Sequence, residues 1–166
     1  MASNTNIASK EHATPKVTAD PDPKQSLAPA ADPVPVVDLD TDPDLSVGAA
    51  ELLELERSCR QQLSSAGHWP AERRARLHNR LGLLLYGQVR FDEAAEEYRA
   101  ALDAWPRLAA AAHNRAIVRY RMGYFQEAER DLMLAQSLEP ENTEIATGLQ
   151  ETRRLLGGIP AEGASS

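Results

Sequence analysis

Residues 75–108 and 109–142 are two copies of one 34-residue unit, and no other feature restricts the fold of this chain as tightly. At that offset seven pairs are identical: Ala75/Ala109, Tyr86/Tyr120, Phe91/Phe125, Glu93/Glu127, Ala94/Ala128, Ala101/Ala135 and Pro106/Pro140. A repeat of this length is a single supersecondary unit that cannot bury an apolar face alone, so its copies must stack. The spacing within each copy predicts two antiparallel helices. Gly82 and Ala116 fall in the middle of the first helix of each copy, and Ala94 and Ala128 are the small partners on the second that let the pair approach closely. Tyr98 and Leu132 follow those alanines by four residues and share their helical face. Phe91 and Phe125 stand just after the chain reversal, while Pro106 and Pro140 stop the second helix because proline cannot continue one.

The copies also differ. The turn glycine Gly123 is Val89 in the first copy, and the positions of Leu81 and Leu85, expected to be buried, hold Arg115 and Arg119 in the second. The second copy therefore begins with a basic helix. The triplet HNR recurs as 78–80 and 113–115, at an offset of 35, which leaves a shift of one residue open for the first helices.

The period and the positions of the small, aromatic and proline residues resemble the tetratricopeptide repeat family. Over about 48–155, the phrases HNRLGLLLYGQVRFDEAAEEYRAAL and HNRAIVRYRMGYFQEAERDL are most similar to the thirty-two-like group of small proteins in that family. The resemblance implies an all-α fold: a short α-solenoid of antiparallel helix pairs in a right-handed superhelix, acting as an intracellular scaffold with no established activity. It implies a concave groove lined by the first helix of each repeat. The groove positions are Arg76, Asn79, Leu83 and Tyr86 in the first copy, and Ala110, His113, Asn114, Ile117, Tyr120 and Arg121 in the second, with Glu144 and Thr147 beyond. An additional N-terminal repeat is expected in that group, and its first helix is here missing or absorbed in the preceding acidic segment. Co-chaperones of the family clamp a peptide carboxylate with two asparagines and three basic residues. Of those five positions only Asn114 matches, for Asn79, Leu83, Glu144 and Gly148 stand at the others. The resemblance therefore disfavours a co-chaperone.

The flanks complete a domain over 45–157. Leu52, Leu55, Cys59 and Leu63 recur at spacings of three and four, which predicts a helix over 46–66 with Ser46 as N-cap and Gly67 as its stop. This helix is a degenerate repeat or an N-terminal cap. Pro70 opens a helix over 70–87, with Trp69 packing back onto it. Ile145, Leu149, Thr152 and Leu156 mark a last helix over 143–156, started by Asn142 or Thr143 and ended by Gly157 and Gly158, whose polar outer side caps the stack. Residues 1–44 hold seven of the eleven prolines, three lysines against eight acidic residues and no aromatic side chain, so they are expected to be a disordered tail. Residues 158–166 are expected to fray.

Chemistry is sparse. His12, His68, His78 and His113 have no cysteine or carboxylate at metal-ligand spacing, no glycine-rich phosphate loop is present, and no serine sits in a nucleophile elbow. An enzyme, a metal and a cofactor are not expected. Cys59 is the only cysteine, which excludes an intrachain disulfide and fits a small core residue better than a reactive thiol. A net charge of −7 argues against nucleic acid as a partner. With no signal-peptide core and no apolar run of roughly 20 residues, a cytoplasmic protein off the membrane is expected. The function expected is a non-enzymatic adaptor holding a protein or peptide partner in the groove. The alternative is a structural subunit whose solenoid end is completed by another chain, including self-association through the solenoid ends. The acidic stretch DLDTDPDL, 38–45, is expected to occupy the groove weakly against Arg76, His113 and Arg121.

Overall fold

The computed structural model describes residues 42–158, which are helical and joined by short turns, with no strand among them. Helix α1 runs Ala49–Ser65 and is followed by a single 3-10 turn, Ala66–His68. Then come α2 (Ala71–Gly87), α3 (Phe91–Ala104), α4 (Ala109–Arg121), α5 (Phe125–Leu138) and α6 (Thr143–Gly158). Each helix packs on the next, most extensively within the pairs α2/α3 and α4/α5, and α2 also touches α4. Residues 1–41 of the tail expected over 1–44, and the last residues, 159–166, lie outside the described residues.

The repeat offset is 34 throughout. Helices α3 and α5 each have 14 residues and begin at the paired phenylalanines. Tyr86 packs on Phe91 with ring centroids 5.6 Å apart, and Tyr120 on Phe125 at 5.3 Å. The turn between paired helices is also the same in both copies. Val89 N–H donates to the Tyr86 carbonyl and Arg90 N–H to Leu85, matched by Gly123 to Tyr120 and Tyr124 to Arg119. This double closure needs one residue in the left-handed region. Gly123 adopts it at φ 83° without strain, whereas the β-branched Val89 is held there at φ 60°. The HNR triplets meet differently: Asn114 Nδ2 donates to Asn79 Oδ1 at 3.0 Å, joining α4 to α2.

The small residues do what their positions require. Gly82 faces the Tyr98 ring so closely that an added Cβ would lie 2.5 Å from Cε1. Ala94, Ala101, Ala128 and Ala135 have no exposed surface. One core cluster gathers Leu52 and Cys59 of α1 with Leu77, Leu81, Leu84, Leu85 and Tyr98. A second gathers Ala101, Ala112, Leu132, Ile145 and Leu149. Burial pushes the Cys59 thiol up to about 11, so it stays protonated in the core.

At the positions of Leu81 and Leu85 the second copy replaces apolar packing with ions. Asp131 of α5, 3% exposed, accepts from Arg115 Nε at 2.9 Å and Nη2 at 2.6 Å, and from Arg119 Nη1 at 2.7 Å. Two of the three arginines of the basic helix are therefore paired with one carboxylate of its own partner helix.

The N-terminal end departs from expectation. Ser46 does not cap α1; its N–H and Oγ instead donate to Asp44 Oδ1 at 2.8 Å and 2.6 Å, and the helix starts at Ala49 after the uncapped Gly48. The bonds from Ser46, side chain first, hold the Asp44 carboxyl below its ordinary range. Pro43 is buried, and Leu45 and Val47 pack on the first core cluster. Residues 43 and 44, expected within the tail, thus belong to a packed strap. Glu56 of α1, 7% exposed, receives Arg60 Nε at 2.9 Å, Gln88 Nε2 at 3.0 Å and Arg90 Nη1 at 2.7 Å, pinning α1 to the α2–α3 turn. Burial pushes its carboxyl upward, but the bonds from Gln88 and Arg60 and the charges of Arg90 and Arg60 together outweigh it and leave the pKa lowered. Trp69 packs back onto α2 as expected, with the Arg73 guanidinium 3.9 Å from its ring centroid. Asn142 caps α6, its Oδ1 accepting from Glu144 N–H at 3.1 Å and Ile145 N–H at 3.3 Å.

Candidate functional site

Residues at i, i+3, i+4 and i+7 share one face of a helix, so His113, Ile117 and Tyr120 of α4 lie in a row. On α6 the same spacing aligns Glu144, Thr147, Gly148 and Glu151. These two rows form facing walls. Between them opens a cleft of about 470 Å³ lined by His113, Ile117, Thr143, Glu144, Thr147 and Gly148. A smaller recess of about 150 Å³ continues it past Ala116, Ile117, Tyr120, Leu132, Glu151 and Thr152. A Cβ at Gly148 would stand 3.4 Å from Leu132 Cδ2, an ordinary contact, so the packing of α6 on α5 does not depend on a glycine there.

The chemistry of the walls is mixed. Ile117, Ala116 and Leu132 give an apolar floor. Thr147 Oγ1 and Thr152 Oγ1 donate to the carbonyls of Thr143 and Gly148, both at 2.8 Å, which leaves their oxygens as acceptors. The Glu144 carboxylate has no ion-pair partner among the described residues, while Glu151 accepts from Arg154 Nε at 3.0 Å. Tyr120 is 37% exposed and rests edge-on against Phe125. The α6 N-terminus at the cleft mouth is already satisfied by Asn142 and complemented by Glu144 in the first turn.

The groove positions read from the sequence divide into two groups. His113 and Ile117 meet Glu144 and Thr147 in the cleft, and Tyr120 lines the recess that continues it. Asn79 and Asn114 spend one bond on each other. Arg76 is held by Glu72, through Nη2 at 3.0 Å. Leu83 and Tyr86 are partly buried against the first core cluster. Ala110 and Arg121 are exposed on α4 and line neither part of the cleft. Of the acidic stretch 38–45, residues 42–45 are described; Leu45 packs on Gly87, 3.0 Å from where a Cβ would be, at the first-copy end of the groove face. Residues 38–41 lie outside the described residues.

Ala116, Leu132, Thr143, Gly148, Glu151 and Thr152 line the cleft without being among the groove positions read from the sequence. The i+4 steps from Glu144 and Thr147 could have found Gly148 and Glu151, but Leu132 belongs to another helix. Elsewhere His68 is exposed and His78 Nδ1 lies 2.8 Å from Glu97 Oε2. Among the described residues no group of three or more His, Cys, Asp or Glu side chains is arranged to hold a metal ion, and no helix is long and apolar enough to cross a membrane. No protein-family model matches the chain, and no curated protein matches it.

Proposed function

We propose that this protein is a non-enzymatic interaction adaptor of the tetratricopeptide repeat kind, which holds a peptide or helix of a partner protein in the cleft between α4 and α6. The observation that carries this reading is the cleft itself: about 470 Å³ of open space whose walls include His113, Ile117, Glu144 and Thr147, four of the groove positions implied by the repeat register. Pockets that hold ligands combine an apolar floor with a few placed polar groups, and this one has that make-up. The repeated helix pair, the paired turns and the capped last helix support the solenoid.

The reading confines recognition to the second copy and α6. Leu45 packs on Gly87 and the first-copy Leu83 and Tyr86 sink partly into the core, so that end of the face offers less. The same strap, through Leu45 and Val47, packs on the first core cluster and covers part of its apolar surface.

A peptide-display selection against the full chain tests the proposal. Peptides selected on the wild type are expected to lose binding to Ile117→Arg, which fills the apolar floor with a cation, while the variant keeps its helical circular dichroism. Selected peptides that bind wild type and folded variant equally would contradict it.

A further inference from the structure

We infer that the cleft selects a peptide carrying a lysine or arginine beside an apolar side chain, a proposal that rests on the adaptor reading and specifies its ligand. The cleft walls contain no lysine or arginine; they carry two carboxylates, Glu144 at the mouth and Glu151 beside the recess, and one imidazole, His113. Glu144 has no ion-pair partner among the described residues. Glu151 holds Arg154 in an exposed pair, and exchanging one exposed cation for another costs little.

The other polar groups point the same way. The hydroxyl proton of the exposed Thr147 is committed to the Thr143 carbonyl, so toward a ligand this group acts as an acceptor. The α6 N-terminus, which would otherwise draw an anion, is closed by Asn142 and faced by Glu144. Tyr120 adds an exposed aromatic ring at the recess, and such rings attract a cation held over their face. The apolar anchor fits over Ile117 and Leu132, with the cation toward Glu144. An acidic occupant, including a segment such as 38–45, would meet these carboxylates. Attraction between the cleft carboxylates and a cationic peptide makes its association depend on salt.

The test uses the full chain and three synthetic nine-residue peptides with identical leucines and with lysine, glutamine or glutamate at the remaining positions. Amide chemical shifts of Ile117, Thr147 and Gly148 are followed at low ionic strength. The lysine peptide is expected to move them saturably and the glutamate peptide not at all. E144Q/E151Q is expected to weaken the lysine peptide by roughly fivefold, while E51Q/E54Q on α1, which removes equal charge elsewhere, changes it less than twofold. Equal movement by the glutamine or glutamate peptide would overturn the charge preference and leave the peptide cleft standing. Equal weakening by E51Q/E54Q would overturn it as non-specific attraction. If no peptide moves the cleft residues, both the preference and the adaptor reading fail.

Discussion

Asp131→Ala is expected to lower the unfolding free energy by about 3–5 kcal/mol, the cost of stripping the partner from buried charges. The carboxylate is the shared acceptor of Arg115 and Arg119, whose side chains are only 15% and 28% exposed. Without it two guanidinium groups on adjacent turns of α4 repel each other in a place water reaches poorly. For a domain whose total stability is about 5–15 kcal/mol, that loss is visible in any urea titration followed by circular dichroism. The first copy supplies the rescue. Leu81 and Leu85 occupy the equivalent positions and are fully buried. Arg115→Leu and Arg119→Leu added to Asp131→Ala are therefore expected to return stability to within about 1 kcal/mol of the wild type, because apolar residues can replace a buried ion network at little cost. A loss below about 1 kcal/mol for Asp131→Ala alone would mean that the triad is a solvated surface feature.

Gly82→Ala and Gly148→Ala are expected to have opposite signs. In both helices alanine gains about 1 kcal/mol of helix propensity over glycine. At Gly82 the new methyl would stand 2.5, 2.8 and 2.9 Å from three atoms of the Tyr98 ring, which is 1% exposed and has nowhere to turn. Overpacking of that kind costs about 1–3 kcal/mol, and a rigid ring places it toward the upper end, so a net loss of about 1–2 kcal/mol is expected. At Gly148 the nearest atom is Leu132 Cδ2 at 3.4 Å, an ordinary contact, and a gain of about 0.5 kcal/mol is expected. Thermal unfolding of the two variants side by side reads the difference. A stabilised Gly82→Ala would show that the α2/α3 seam is looser than its geometry.

These two sites also mark how far the sequence could be read. The seam was legible because one exchange compensates another across it: Gly82 opposes Tyr98 in the first copy, while the larger Ala116 goes with the smaller Leu132 in the second. The helix ends were legible at Pro106 and Pro140, since α3 and α5 stop at Ala104 and Leu138. The turn was legible at Gly123 and obscured at Val89, where the hydrogen-bonded closure of the turn imposes a backbone that the β-branched side chain opposes. The arginines at 115 and 119 were visible as exceptions, but their neutralising partner was not, because Asp131 sits on another helix and local periodicity carries no signal across that distance. Glu97 at the equivalent position of the first copy was the available hint. Ser46 misled because its side chain serves a local turn with Asp44 in preference to the helix end. In the groove the sequence ranked all first-helix positions alike. What separates them is burial by the strap and the approach of α6, both set by contacts between segments far apart in the chain.

The most direct measurement is site-specific photo-crosslinking in the native cell, with a photoreactive phenylalanine derivative placed at Ile117 in the cleft or at Met133, which is 49% exposed on α5. Ile117 is expected to yield a discrete adduct whose attached peptide, mapped by mass spectrometry, carries an apolar residue next to lysine or arginine, and Met133 is expected to yield none with that peptide. Adducts of the same peptide from Met133 in equal amount, or none from Ile117, would contradict the assignment of the α4–α6 cleft as the binding site.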